Sequence, residues 1–131
     1  MRIRDLTQRS VMTADISESL SAAASRMRLA DVSALPVTRE GEPVGILTER
    51  DLTRAVADAV NPLTTGIATY MTLGLTVAKL DDESEEVAAR MLELGIRHLP
   101  VQEAGELVGI ISMRDLLLLE ALRPRAAARL E

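Results

Sequence analysis

Apolar positions follow two rhythms along this chain. Short apolar runs at Leu35 to Val37, Val44 to Leu47, Ile96 to Val101 and Leu107 to Ile111 predict strands. Glu40-Gly41-Glu42-Pro43 and Ala104-Gly105-Glu106 supply the turns that join them as hairpins. Val87, Met91 and Leu94 instead fall on one helical face, which Gly95 ends. The acidic run Asp81-Asp82-Glu83-Ser84-Glu85 starts that helix, because acids favour the first turn. A matching helix is expected near Leu20 to Ala30, and further helices from Thr48 and from Ser112. Val11-Met12-Thr13 and Leu75-Thr76-Val77 read as short buried strands opening each half. The order in each half is strand, helix, strand, strand, helix, which makes an α+β protein.

That order occurs twice because the sequence does. Gly45-Ile46-Leu47-Thr48-Glu49-Arg50-Asp51-Leu52 returns sixty-four residues later as Gly109-Ile110-Ile111-Ser112-Met113-Arg114-Asp115-Leu116. Leu35-Pro36-Val37 returns as Leu99-Pro100-Val101, Met27 as Met91 and Ile3 as Ile67, at the same spacing. Met12-Thr13 and Met71-Thr72 look alike but break that spacing by five residues, so their likeness is read as chance. Two copies are too few for a solenoid. The expected organisation is a first repeat over 1–64, a second over 65–123 and a tail over 124–131, with Asn61-Pro62 at the hand-over. Each half alone would be marginal, so the two are expected to pack with pseudo-twofold symmetry.

Composition then removes whole classes of function. Apolar residues form 47% of the 131, too many for a disordered chain. A formal charge of −5 opposes a nucleic-acid partner, and with no Trp, no Phe and only Tyr70 there is no base-stacking platform. Without cysteine there are no disulfides or thiolates, and a cytoplasmic address is the default. No apolar stretch spans a membrane, and the polar start Met1-Arg2-Ile3-Arg4-Asp5 is no secretory signal. The lone His98 has no acidic cluster around it, leaving no metal site, and no constellation supports catalysis. The chain reads as a non-enzyme.

The repeated motif carries the chemistry. Thr48 with Asp51, and Ser112 with Asp115, stand where a strand gives way to a helix. One reading is a capping box: the hydroxyl accepts from an orphan N–H, and the acid three residues on reaches back. Such a cap is worth about 1 kcal/mol and needs no ligand. The other reading uses the helix dipole and its free N–H groups as a phosphate seat, with the acid accepting from a ribose diol. Arg50 and Arg114, just before the aspartates, could grip a phosphate with paired hydrogen bonds or stand exposed. Spacing alone leaves these alternatives open.

The Leu-Pro-Val strand, the Gly-containing turn and the Gly-apolar-apolar-Thr/Ser-x-x-Asp junction resemble the cystathionine β-synthase (CBS) domain. Two in tandem resemble a Bateman module, here over nearly the whole chain, and the initial Met and absence of a linker suggest that the pair stands alone. The resemblance implies a nucleotide in the cleft between the repeats. Asp51 and Asp115 would hold ribose, with Thr48 and Ser112 as their helix-start companions. Basic residues before Leu-Pro-Val would face phosphate: Arg97 and His98 in the second repeat, against Ser33 and Ala34 in the first. The second site would then gather Arg97, His98 and Arg114, while the first offers only Arg50 and is weaker or empty. A base would lie near Ser10, Val11, Leu75 and Thr76, against aliphatic walls that include Val11, Ile46, Leu75 and Ile110 as well as Leu47 and Ile111. Candidate ligands are AMP, ADP, ATP or S-adenosylmethionine.

Leu116-Leu117-Leu118-Leu119 puts apolar residues on every side of the last helix, so part of the run should be exposed and form an interface. In the CBS resemblance that interface is a homodimer through the terminal helices. Pro124 ends the helix and leaves a short tail. The expectation is a regulatory module that senses an adenosyl compound and passes a conformational change to an unidentified protein. A dimerising scaffold with vestigial clefts is the alternative.

Overall fold

The repeat governs nearly every described element of the computed structural model, which describes residues 1–6, 11–74 and 76–122, the last four of these without their side chains. Strand β1 (Ala14–Asp15), helix α1 (Leu20–Ala30), strands β2 (Ala34–Arg39) and β3 (Glu42–Thr48), and helix α2 (Glu49–Ala57) make up the first copy. Strand β4 (Thr72–Leu73) follows. Then β5 (Ala78–Lys79), α3 (Ser84–Leu94), β6 (His98–Glu103), β7 (Glu106–Ser112) and α4 (Met113–Leu122) restate the order. Each of these five starts sixty-four residues after its counterpart. Short 3-10 turns at Ile3–Asp5 and Ile67–Thr69 keep the same spacing, in agreement with the pairing of Ile3 with Ile67.

The hairpins form where the turns predict. At both tips the two central residues have positive φ: Glu40 and Gly41 in one, Ala104 and Gly105 in the other. Positive φ at both positions matches the twist of the flanking strands and closes the ladder in two residues. β2 pairs antiparallel with β3, and β6 with β7, each with an irregularity after the valine of Leu-Pro-Val. β1 and β5 add in parallel at the outer edges, touching only Val37–Thr38 and Val101–Gln102. Pro36 and Pro100 therefore lie beyond the parallel partner, so their missing N–H costs no bond to it.

The opening strands lie three residues beyond the runs that predict them. Thr13 and Val77 do not join the ladder, because their carbonyls accept from arginine side chains, Arg26 Nη1 at 2.9 Å and Arg90 Nη1 at 2.7 Å. Leu75 lies outside the described residues, and Thr76 is exposed. Leu94 differs too. It shares a helical face with the buried Val87 and Met91 but is exposed at the last turn, and Ile96 fills the core there. The N–H of Ile96 bonds to the Met91 carbonyl at 3.0 Å, which draws the departing chain inward.

The compact units divide the chain differently from the repeats. One unit runs from Ser10 to Thr76, and the other combines Met1–Arg9 with Val77–Glu131. The first encloses Leu35, Val37, Leu47 and Met27, with Ile67 and Tyr70 from the opening of the second repeat. The second encloses Leu99, Val101, Ile111 and Met91, with Ile3 from the opening of the first repeat. Each core thus draws its opening isoleucine from the other copy. Ile3 and Ile67 are both fully buried. Residues 1–6 are also fastened by polar contacts: Ile3 N–H to the Asp82 carbonyl at 2.9 Å, and Arg4 Nη2 to Asp81 Oδ1 at 2.7 Å. The Arg4 hydrogen bonds, and then its charge, hold the Asp81 carboxyl below the ordinary carboxylate range.

Candidate functional site

Both hydroxyl–acid pairs stand at strand-to-helix junctions, at the ends of their hairpin ladders. In the first, the Thr48 N–H donates to Asp51 Oδ2 at 2.9 Å, and the Asp51 N–H donates to Thr48 Oγ1 at 3.3 Å. In the second, the Ser112 N–H donates to Asp115 Oδ2 at 3.2 Å, and the Asp115 N–H donates to Ser112 Oγ at 3.0 Å. These are reciprocal capping boxes, so the structural reading of the motif is realised in both copies. The first helical N–H is occupied as well: Glu49 N–H bonds to the Ser33 carbonyl and Met113 N–H to the Arg97 carbonyl, each at 2.9 Å. No described hydrogen bond takes the N–H of Arg50 or of Arg114. A phosphate at either junction would therefore meet one backbone donor and, on the same residue, an exposed guanidinium.

The ladder brings the basic residues of the second repeat to this point. His98 stands directly across from Ser112, as Ala34 stands across from Thr48. His98 is half-buried and Arg97, one residue before it, is exposed. Arg97, His98, Ser112, Arg114 and Asp115 thus cluster at one end of β6 and β7, while the first repeat has Ser33 and Ala34 in the corresponding places. Val11, Ile46 and Ile110 are half-buried and belong to neither core, whereas Leu47 and Ile111 are core residues on the other face of their strands. Ser10 and Leu75 lie outside the described residues.

The two aspartates differ in environment. Asp51 is only 6% exposed, and its second oxygen, Oδ1, lies 3.3 Å from Arg54 Nη2. Arg54 in turn donates to the Tyr70 carbonyl at 3.1 Å and stands 5.8 Å from the centre of the Tyr70 ring. The Tyr70 hydroxyl donates to Asp58 Oδ2 at 2.7 Å, and that bond, with burial, raises the phenol above its ordinary value. Asp115 is exposed, and its described hydrogen bonds use Oδ2 alone. Sixty-four residues from Arg54, Asp58 and Tyr70 the sequence has Leu118, Leu122 and Leu6. Sequence reasoning misses Arg54, and the only available signal is that comparison of copies.

A CBS domain family model matches residues 3–58 and again 67–121. The chain belongs to the CBS domain family. Its double match makes it a CBS domain pair. It is 32% identical to the protein MK0525 of Methanopyrus kandleri over 121 residues, covering 90% of this chain and 62% of that protein. Among solved structures, the CBS-domain protein ATU1752 of Agrobacterium tumefaciens is 30% identical at a TM-score of 0.85, covering 92% of this chain and 99% of that one. The CBS domain pair of protein MJ0100, solved in complex with 5'-methylthioadenosine and S-adenosyl-L-methionine, is 26% identical at a TM-score of 0.86. That match covers 95% of this chain and 98% of the other.

Among the described residues no group of three or more His, Asp or Glu side chains could hold a metal ion. No described helix is long and apolar enough to cross a membrane.

Proposed function

We propose that this CBS pair is a regulatory module that binds an adenosyl compound at its strand-to-helix junctions, chiefly at the second. One observation carries the reading: the antiparallel ladder gathers Arg97, His98, Ser112, Arg114 and the exposed Asp115 at one strand end. A carboxylate that keeps an accepting oxygen suits a ribose diol, and the cationic groups suit a phosphate or a ligand carboxylate. In the first repeat Thr48, Arg50 and Asp51 form a weaker or empty counterpart. Ile46, beside the first junction, and Ile110, beside the second, supply aliphatic contacts for a base. The adenosyl ligands of the MJ0100 pair support this class, within which AMP, ADP, ATP and S-adenosylmethionine are the candidates. The module acts in the cytoplasm without catalysis. It shifts between two conformations by its different affinity for the ligand in each, and a partner protein responds to that balance.

Thermal unfolding with these four ligands tests the reading. A ligand at a hundred times its Kd adds about 2.7 kcal/mol of stability. That increment is expected to vanish in Asp115→Asn and to persist in Asp51→Asn, each compared with its own unliganded form. No increment with any ligand, on folded protein, would refute the proposal.

A second reading has its own support in exposed apolar surface. Leu92 on α3 is 72% exposed, and Leu117 and Leu118 on α4 are 63% and 52% exposed. Leu116 is buried, and the Leu119 side chain lies outside the described residues. A face of this kind suits an interface, and the favoured partner is a second copy of the chain.

A further inference from the structure

The two junctions share a motif but not its surroundings, and one arginine makes most of the difference. Arg54 lies one helical turn beyond Asp51 and, from a side chain that is itself 58% exposed, forms an ion pair with Oδ1 at 3.3 Å, while the capping box holds Oδ2. The same nitrogen donates to the Tyr70 carbonyl, the guanidinium stands near the Tyr70 ring, and Tyr70 is itself buried and tied to Asp58. A ribose diol donates two hydrogen bonds to a carboxylate, so at Asp51 it would have to displace Arg54 and reach a residue that is almost wholly buried. At the second junction Leu118 takes the place of Arg54, and a leucine offers the carboxylate of Asp115 nothing.

We propose that Arg54 is a plug laid over the first nucleoside seat, so that this CBS pair binds one ligand per chain, at Asp115. This rests on the ligand-binding reading above and adds the residue that sets its stoichiometry. Plug and seat lie in the same compact unit.

Titration calorimetry on the full chain with AMP and with S-adenosylmethionine tests the plug. The wild type is expected to bind one equivalent, lost in Asp115→Asn. Arg54→Leu, which copies the second repeat, is expected to bind two, the added one lost when Asp51→Asn is combined with it. In the reverse exchange, Leu118→Arg is expected to weaken binding at least tenfold. Leu118→Met, similar in length but without a donor for a carboxylate, is expected to leave binding unchanged. Should Arg54→Leu fail to fold, the two Leu118 variants suffice by themselves. Two equivalents in the wild type, a single site lost in Asp51→Asn, or Arg54→Leu still binding one would overturn the plug and leave ligand binding standing. Equal binding by the two Leu118 variants would do the same. No heat with any of these proteins would overturn both.

Discussion

Single residues in this molecule are constrained mostly by what approaches them. Gly45 lies in β3 where β4 crosses, paired with Leu73, and a Cβ built there would come within 2.3 Å of the Thr72 carbonyl oxygen. That oxygen is backbone and cannot swing aside, so the ladder itself would have to shift. Overpacking of this kind costs about 1–3 kcal/mol. Gly45→Ala is accordingly expected to lower the unfolding free energy measured in urea by that amount, whereas Gly41→Ala meets no atom and is strained only through its positive φ. The sequence pointed to Gly45 as part of a repeated string without indicating why. The reason lies in β4, twenty-seven residues away in the chain. The same holds for Arg54. The partnership of Thr48 with Asp51 spans three residues and is legible as a capping box, while that of Arg54 with Tyr70 spans sixteen and obeys no local spacing rule.

At the scale of elements, the hairpins and helices follow from local pattern, because turn chemistry and periodicity are local. The opening strands do not. Their position depends on Arg26 and Arg90, which reach back thirteen residues to the carbonyls of Thr13 and Val77. Both arginines sit at the repeat spacing, so the signal was present, but an arginine on a helix ordinarily reads as surface. The 3-10 turns are harder still to foresee: Ile3 and Ile67 look like isolated apolar residues near polar ends, yet each is a fully buried member of a core. Ile3→Ala is therefore expected to cost about 2–5 kcal/mol, as a large-to-small change in any packed core does. Hydrogen exchange should locate the loss in residues 77–118 and leave 11–74 unchanged. Faster exchange confined to the first six residues would mean that the N-terminus is a loose attachment.

At the scale of the whole molecule both repeats expose apolar side chains, Leu29 and Val56 among them in the first, but at different positions. Leu92, Leu117 and Leu118 are exposed in the second repeat, and the first has Arg28, Thr53 and Arg54 at the corresponding places. A dimer built on this face would use the second repeat more than the first. Sedimentation velocity is expected to find a dimer for the wild type and a monomer for Leu92→Glu combined with Leu117→Glu. A monomeric wild type would leave that face for a different protein.

The exchange of opening isoleucines also has a consequence in time. A chain leaving the ribosome presents residues 10–76 together, and that unit can close as soon as Ile67 and Tyr70 emerge. Ile3 is made well before its partners Ala78, Val87, Met91 and Leu99. Until they appear, the N-terminal segment has no core to enter and remains open to whatever the nascent chain meets. The second unit is in this sense closed by residues made before the whole of the first, so its assembly waits on a segment that has already passed the other core.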